Sequence, residues 1–165
     1  MRGFTTPLVF LLLAWAGPAG AGGPAFRQPL PDLFTAGQPS AQQLHDAAQS
    51  GITTVIDLRM PQEDRGYDEA AAAEQLGLRY VRLPIGGADD LTEANARALD
   101  RILKQDGGRT LLHCASGNRA GALLALLRAR LEGVAPDAAL QLGRDAGLTS
   151  LEPAVRAALE ASPTP

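Results

Sequence analysis

TLLHCASGNRAG, residues 110–121, decides the fold of this chain. The stretch begins as an apolar, β-prone segment, turns through a short loop that contains Gly117, and leads into a leucine-rich segment that predicts a buried helix over 120–131. Cys114, the only cysteine among the 165 residues, lies between the predicted strand and the predicted helix. This placement indicates a nucleophile rather than a residue that only fills the core.

Helices and strands alternate on both sides of this stretch. Ser40, Asp68 and Thr92 have side chains that cap helices, and each precedes a segment predicted to be helical. The predicted strands are residues 32–36, 52–58, 78–83 and 110–114. The predicted helices begin at Ala41, Glu69, Glu93, Ala120, Pro136 and near Leu151. This alternation predicts a single α/β domain with a mostly parallel central sheet flanked by helices.

The first residues of the chain resemble a cleaved secretory signal. Arg2 is followed by the apolar run 8–16 and by the small residues 19–21. The run has about nine residues, whereas a membrane-spanning helix needs about 20. We therefore expect a secreted or periplasmic protein that makes no membrane contact after signal cleavage. The predicted organisation is a signal peptide over 1–21, an extended lead-in over 22–31, the domain over 32–160 and a tail over 161–165.

Composition excludes several kinds of partner and site. The formal net charge is −3 and no block of Lys or Arg occurs, so nucleic acid is not an expected partner. A single cysteine cannot form a disulfide framework. The two histidines, His45 and His113, lack the spacing of metal ligands, and we expect neither a metal nor a cofactor. No pattern in the chain indicates an oligomeric state.

The loop around Cys114 has the features of an anion-binding site. The backbone N–H groups of a tight loop point inward when the loop leads into the positive end of a helix. The predicted substrate-binding residues are Ala115, Ser116, Gly117, Asn118 and Arg119. The same dipoles and the Arg119 guanidinium favour the thiolate form of Cys114, which is the nucleophilic form. Attack of this sulfur on a bound phosphate ester would give a phosphocysteine, which water then hydrolyses.

Two carboxyl groups upstream are candidates for the general acid of such a reaction. The departing alcohol needs a proton, and the glycine-rich segment 86–90 contains Asp89 and Asp90. Either residue is a candidate acid. The alternative is that both only favour the N-terminus of the helix capped by Thr92, where negative charge interacts well with the helix dipole.

Three further polar residues near the predicted strand ends are expected to be supporting residues. His113 and Cys114 point in opposite directions if the strand alternation holds, so His113 is expected to be a hydrogen-bonded scaffold residue rather than a base. Asp57 and Arg59 leave the end of a buried strand, and we expect them to anchor the following loop rather than to contact the substrate.

Several separated segments resemble one known group of enzymes. They are AGQPS over 36–40, VIDLR over 55–59, GLRYV over 77–81 with LPI over 83–85, and the loop that begins with His113 and Cys114. In this order they resemble cysteine-dependent protein tyrosine and dual-specificity phosphatases, and most closely the small bacterial phosphatase-like family also found beside beta-lactamase-like hydrolase domains. The likeness covers about residues 32–130. It implies a protein tyrosine phosphatase-like fold, a thiolate at Cys114, a phosphate-binding Arg119, an acid from the Asp89–Asp90 loop and a phosphorylated protein or small molecule as substrate.

Two features depart from the pattern of that superfamily, the length of the loop and the residue after the arginine, and they leave two alternatives open. Its members usually have five residues between the Cys and the Arg, whereas four separate Cys114 from Arg119, and Ala120 replaces the usual Ser or Thr. The shorter loop resembles that of rhodanese-type sulfurtransferases, whose cysteine carries a persulfide. A non-catalytic domain that binds an oxyanion or a phosphopeptide is the other alternative. His113 and the upstream segments favour the phosphatase.

Overall fold

The computed structural model describes residues 26–161, with only the backbone described for Asp106. The predicted signal peptide, residues 22–25 of the lead-in and residues 162–165 of the tail lie outside the described residues. Within 26–161, every helix is too short or too polar to cross a membrane.

Five strands and six helices form one α/β domain within the described residues. The strands are β1 (Arg27–Leu30), β2 (Leu33–Ala36), β3 (Ile52–Asp57), β4 (Arg79–Arg82) and β5 (Arg109–His113). The helices are α1 (Ala41–Gln49), α2 (Glu69–Gln75), α3 (Glu93–Asp106), α4 (Asn118–Glu132), α5 (Pro136–Asp145) and α6 (Glu152–Glu160), with a short 3-10 turn at Ala88–Asp90. Strand order is β1-β2-β5-β3-β4, and every pair is parallel except β1 with β2. The predicted mostly parallel sheet flanked by helices is confirmed.

The first strand, β1, was not predicted from the sequence. Arg27–Leu30 pairs antiparallel with β2 at the edge of the sheet, although this segment was expected to be an extended lead-in. Pro29 lies inside the strand and Pro31 follows it. Proline donates no hydrogen bond and is confined to edge strands, so the pattern that hid the strand also fits its place in the sheet.

Two buried layers cover the two faces of the central strands. Ile56 and Leu112 point into the larger layer, which is completed by α3, α4, α5 and α6. Val55 and Leu111, their neighbours in sequence, point to the opposite face, where α1 and α2 lie. Successive side chains of a strand alternate between faces, and both faces of a parallel sheet are covered by helices.

Helix α4 packs unusually close to the last turn of α5 and to the segment that follows it. A Cβ placed on Gly121 would lie closer than 3.0 Å to the backbone N of Leu148 and to the backbone O of Gly143. Gly121 therefore permits a backbone-to-backbone approach that no larger residue allows. This contact fixes the C-terminal segment against the start of α4, which is the helix that follows the cysteine loop.

Candidate active site

The candidate catalytic residues lie at one edge of the sheet, where the parallel strands have their carboxyl ends. Cys114 follows β5 directly, and it is 0% exposed. The backbone N–H of Gly117 donates a hydrogen bond to its Sγ at 3.1 Å. Helix α4 begins at Asn118, two residues earlier than the sequence pattern predicted, so its first turn lies at the loop. Open α/β sheets usually bind ligands at this edge.

Glycine is required at two positions around the loop. Gly117 has φ 93°, which is a left-handed conformation that residues with a side chain adopt only at a cost. A Cβ on Gly37 would lie 2.9 Å from the carbonyl oxygen of Ala115. The N–H of Gln38 donates to that same oxygen at 3.1 Å. The segment that follows β2 thus holds the cysteine loop in place, which explains why the two sequence motifs occur together.

Arg119 is held by two partners on neighbouring loops. Its Nη1 donates to Oε1 of Glu63 at 2.6 Å and to the carbonyl oxygen of Ile85 at 2.8 Å, and its Nη2 donates to Oε2 of Glu63 at 2.8 Å. A guanidinium has five N–H bonds. These contacts use three of them, so the Nε–H and one Nη2–H remain outside these bonds. The pKa of Arg119 is raised, first by the hydrogen bonds with Glu63 and further by the nearby Cys114.

Glu63 is a site residue that the sequence analysis did not identify. The hydrogen bond from Arg119 is the main reason that the pKa of its carboxyl is lowered from 4.5 to about 2. The N–H of Met60 donates to Oε1 at 2.8 Å, and Nε of Arg59 donates to Oε2 at 3.2 Å. An acidic residue shortly after β3, on the same sheet edge as Cys114, was the available sequence signal.

A buried polar cluster supports the site from the neighbouring strand ends. Nε of Arg65 and the hydroxyl of Tyr80 both donate to Oδ2 of Asp57, each at 2.7 Å. Burial first, and the hydrogen bond with Asp57 second, raise the pKa of Tyr80. His113 is also fully buried, with Nε2 lying 3.2 Å from Oε1 of Glu69 but not aligned for a hydrogen bond. The structure thus places His113 and Asp57 in supporting positions beside the cysteine loop.

Three buried side chains lie close enough together to share a metal ion. Each offers one possible ligand atom, and these atoms lie within 4.8 Å of one another: Asp57, Glu69 and His113. Arg65 lies 2.6 Å from Oδ2 of Asp57 and neutralises one of the two carboxylates. The other carboxylate is that of Glu69. A divalent cation would leave a surplus of positive charge in a fully buried place, which is costly. The absence of a metal site therefore stays our prediction.

The structure distinguishes the two candidate acids from each other. Oδ2 of Asp90 accepts a hydrogen bond from the N–H of Gly86 at 2.6 Å, so this carboxylate is part of the loop. The backbone oxygen of Asp90 also accepts from the side chain of Asn95 at 2.8 Å. Asp89 is exposed, and its carboxylate takes part in no hydrogen bond or ion pair among residues 26–161. Of the two carboxylates, that of Asp89 is thus the one without a partner in the described part of the chain, and neither residue lines the cavity over the cysteine loop.

A cavity of about 310 Å³ opens over the cysteine loop. Its lining consists of Glu63, Gly86, Gly87, Ser116, Asn118, Arg119 and Leu151. Ser116 and Arg119 therefore lie where the sequence predicted substrate contacts. Ala115 is exposed beside them, and its carbonyl oxygen is occupied by Gln38. Ala120 is fully buried in the larger layer, among apolar side chains.

The side chain of Asn118 makes its hydrogen bonds away from the cysteine. Its Oδ1 accepts from the N–H of Thr149 at 2.8 Å and from the N–H of Leu151 at 3.3 Å. Its Nδ2 donates to the hydroxyl of Ser150 at 2.8 Å. Asn118 thus connects the cysteine loop to the turn between α5 and α6, and its backbone N–H is the group that remains for an anion.

Curated proteins of one description match part of this sequence. A beta-lactamase hydrolase-like protein from Xylella fastidiosa is 38% identical over 98 residues, which cover 57% of this chain and 22% of that protein. A protein of the same description from Agrobacterium fabrum is 31% identical over the same shares. The chain therefore spans about a fifth of the length of the curated relatives it matches.

Solved structures of phosphatases have the same fold. TpbA from P. aeruginosa superposes with a TM-score of 0.64 and 24% identity, covering 81% of each chain. Tk-PTP in its active form superposes with a TM-score of 0.65 and 18% identity, covering 84% of this chain and 99% of Tk-PTP. At these identities the likeness establishes a protein tyrosine phosphatase-like fold. The family model described as "Beta-lactamase hydrolase-like protein, phosphatase-like domain" matches residues 25–131, which is more than half of the chain, and the chain belongs to that family.

Proposed function

We propose that this chain is a cysteine-dependent phosphatase that hydrolyses phosphoric monoesters through a phosphocysteine on Cys114. The observation that carries this proposal is the meeting of Sγ, the Gly117 N–H and the anchored Arg119 at one loop. An amide donor and a fixed cation beside the sulfur bind an oxyanion. Nucleophile and anion receptor then occupy the same place.

The first step transfers the phosphoryl group to sulfur. Loop N–H groups and the two N–H bonds of Arg119 outside its contacts with Glu63 and Ile85 bind the phosphate oxygens, and Sγ attacks phosphorus from the side opposite the leaving oxygen. The S–P bond forms as the P–O bond breaks. Asp89, which has no partner of its own within 26–161, gives its proton to the departing alkoxide or phenoxide.

The second step releases phosphate. Asp89, now a carboxylate, accepts a proton from a water molecule while the water oxygen attacks phosphorus. The P–S bond breaks, sulfur leaves as the thiolate and inorganic phosphate departs, so that the enzyme returns to its starting protonation state. Arg119 pairs with the phosphate oxygens in both steps, and Glu63 keeps its guanidinium in one orientation.

We propose phosphotyrosine or another phosphate monoester of a protein as the substrate class, with a small phosphate ester as the alternative. TpbA, which shares the fold at 23% identity, has been crystallised in complex with phosphotyrosine. A cavity of about 310 Å³ is at the small end of the range of about 300–1,000 Å³ for ligand sites, so it encloses the phosphate and the adjacent atoms. The rest of a substrate would lie on the surface.

The decisive experiment follows hydrolysis of p-nitrophenyl phosphate by the purified chain. We expect turnover that disappears in Cys114→Ser and falls by about a hundredfold or more in Arg119→Ala, since each removes a group that contacts the transferred phosphoryl. A quenched reaction should also contain a phosphorylated peptide that includes Cys114, found by mass spectrometry. Full turnover by Cys114→Ser would contradict the proposal.

Sulfur transfer is the second candidate, and the four-residue distance between Cys114 and Arg119 supports it. It predicts a persulfide on Cys114 after treatment with thiosulfate, and thiocyanate formation when cyanide is added. Assaying the same preparation with both thiosulfate and p-nitrophenyl phosphate separates the two reactions. Phosphate binding without either turnover would indicate the binding-domain alternative.

We further propose that the domain acts after export, in the periplasm or outside the cell. The N-terminal pattern over 1–21 supports this proposal. Expression of the full chain in a bacterial host, followed by fractionation and N-terminal sequencing, tests it. A full-length protein retained in the cytoplasm would contradict it.

A further inference from the structure

The structure assigns Leu151 as the residue that contacts the organic group of the substrate, an inference that rests on the phosphatase function proposed above. Within the described residues, Leu151 is the single apolar side chain in the lining of the cavity. The other lining residues are glycines or carry polar groups. A phosphate ester presents its oxygens to the N–H groups of the loop, and its carbon atoms need an apolar contact, which in this lining only the side chain of Leu151 offers.

The position of Leu151 is fixed by the cysteine loop itself. Oδ1 of Asn118 accepts hydrogen bonds from the N–H of Thr149 and from the N–H of Leu151, at 2.8 and 3.3 Å. Asn118 is the first residue of α4 and directly precedes Arg119. The position of Leu151, proposed to contact the organic group, is therefore tied to that of Arg119, proposed to bind the phosphate. Asn118 is a positioning residue in this arrangement.

Close packing between backbones holds the same turn from behind. Gly147 has φ 113°, and a Cβ there would lie 3.1 Å from the carbonyl oxygen of Gly117. The side chain of Leu151 is half-buried and packs at the margin of the larger apolar layer. This turn lies beyond residue 131, where the match to the family model ends. The region that selects the organic group thus comes from a part of the chain outside the region that defines the family.

Two phosphonates that differ only in their organic group test the assignment. Phenylphosphonate and methylphosphonate carry the same anionic head and are not hydrolysed, so calorimetric titration of the full chain gives a Kd for each without turnover. We expect phenylphosphonate to bind roughly tenfold more tightly, which is the order of discrimination an apolar wall provides. Leu151→Ala should remove this preference and leave the Kd of methylphosphonate within about twofold.

Matched variants separate contact from folding. Leu142 on α5 is also a half-buried leucine at the margin of the same apolar layer, but it does not line the cavity, so Leu142→Ala should keep the preference for the phenyl group. Asn118→Ala should lose the preference for the phenyl group, because the turn that contains Leu151 loses its two hydrogen bonds to Oδ1. Ser150→Ala should keep it, since both hydrogen bonds to Oδ1 remain.

Each pattern of results decides one of the two proposals. Equal affinities for the two phosphonates in the unmodified chain, or a loss in Leu151→Ala that is the same for both, would overturn the role of Leu151 even if p-nitrophenyl phosphate is hydrolysed. If the preference for phenylphosphonate depends on Leu151 but the chain does not hydrolyse p-nitrophenyl phosphate, the role of Leu151 is supported and the phosphatase function is contradicted. Failure to bind either phosphonate would overturn the role of Leu151, and together with the absence of p-nitrophenyl phosphate hydrolysis it would overturn both proposals.

Discussion

The carboxylate of Glu63 and the guanidinium of Arg119 form a two-point pair, with both oxygens accepting hydrogen bonds at 2.6 and 2.8 Å. The two residues are 56 positions apart in sequence, and the pair connects the loop after β3 to the first turn of α4. A bidentate pair fixes the plane of the guanidinium as well as its position. The Nε–H and the Nη2–H of Arg119 that Glu63 and Ile85 do not use therefore have a fixed orientation before any substrate binds.

Replacing Glu63 by Gln should weaken catalysis without removing the catalytic groups. The amide keeps one acceptor oxygen but turns an NH2 group toward an N–H of Arg119, so the guanidinium loses its fixed plane. We expect kcat/KM for p-nitrophenyl phosphate to fall by roughly tenfold to a hundredfold. Glu132→Gln is the matched control, because Glu132 also pairs with an arginine, Arg128, at the opposite end of α4 from Arg119. Equal losses in both variants would contradict this role.

The same pair makes the stability of the protein depend on pH in a defined window. The pKa of Glu63 is lowered from 4.5 to about 2, chiefly by Arg119, so the unfolded chain binds a proton at higher pH than the folded protein. The contribution of the ionised Glu63 to the free energy of unfolding is therefore complete above about pH 5 and is lost as the pH falls toward 2.

Urea unfolding of the native chain and of Glu63→Gln measures this contribution. The difference between their free energies of unfolding should shrink by about 1 kcal/mol from pH 6 to pH 3.5, a value below the full shift because solvent screens the partly open pair. The other carboxylates are the same in both proteins and cancel. A difference that stays constant over this range would show that the charge of Glu63 does not stabilise the fold.

The fold was largely predictable because its local patterns agree with one another. Adjacent apolar pairs such as Val55–Ile56 and Leu111–Leu112 face the two sides of the sheet, which a continuous apolar run predicts. Ser40 caps α1 as expected. Arg27–Leu30 was missed because proline masks a strand, and only its pairing with β2 reveals it.

The site was less predictable because its remaining members come together through long-range contacts. Nothing local to Glu63 indicates that Arg119 will meet it. The preference for Asp89 over Asp90 depends on one hydrogen bond, from the N–H of Gly86 to Asp90. Asn118 lies inside the expected anion-binding loop, yet its side chain bonds to a turn more than 30 residues later. A short sequence motif identifies which loop matters but not which of its side chains face the ligand.

Asp89→Asn should reveal the general acid through the dependence on the leaving group. We expect kcat for phenyl phosphate to fall about a hundredfold, since phenoxide is a poor leaving group and needs the proton. With p-nitrophenyl phosphate, whose leaving group is stable without a proton, the decrease should be several times smaller. Steady-state kinetics with the two esters measures both values.

Asp90→Asn is the control for this experiment. Asparagine retains an oxygen that accepts from the N–H of Gly86, so the loop keeps its shape. Its effect on kcat should be small and the same for both esters. If Asp90→Asn shows the strong dependence on leaving group and Asp89→Asn does not, the roles of the two residues are reversed.

Gly121→Ala should destabilise the fold because the added methyl group has no space. Its Cβ would lie closer than 3.0 Å to backbone atoms of Leu148 and Gly143, and backbone atoms in packed segments cannot move aside as the end of a flexible side chain does. Overpacking of this kind costs about 1–3 kcal/mol, which urea unfolding resolves. Gly87→Ala is the control, since no atom lies within 4 Å of a Cβ there and its φ of 171° is ordinary extended backbone. An equal, small effect of both substitutions would mean that α4 and the segment after α5 are not held in the close contact that positions the turn at Leu151.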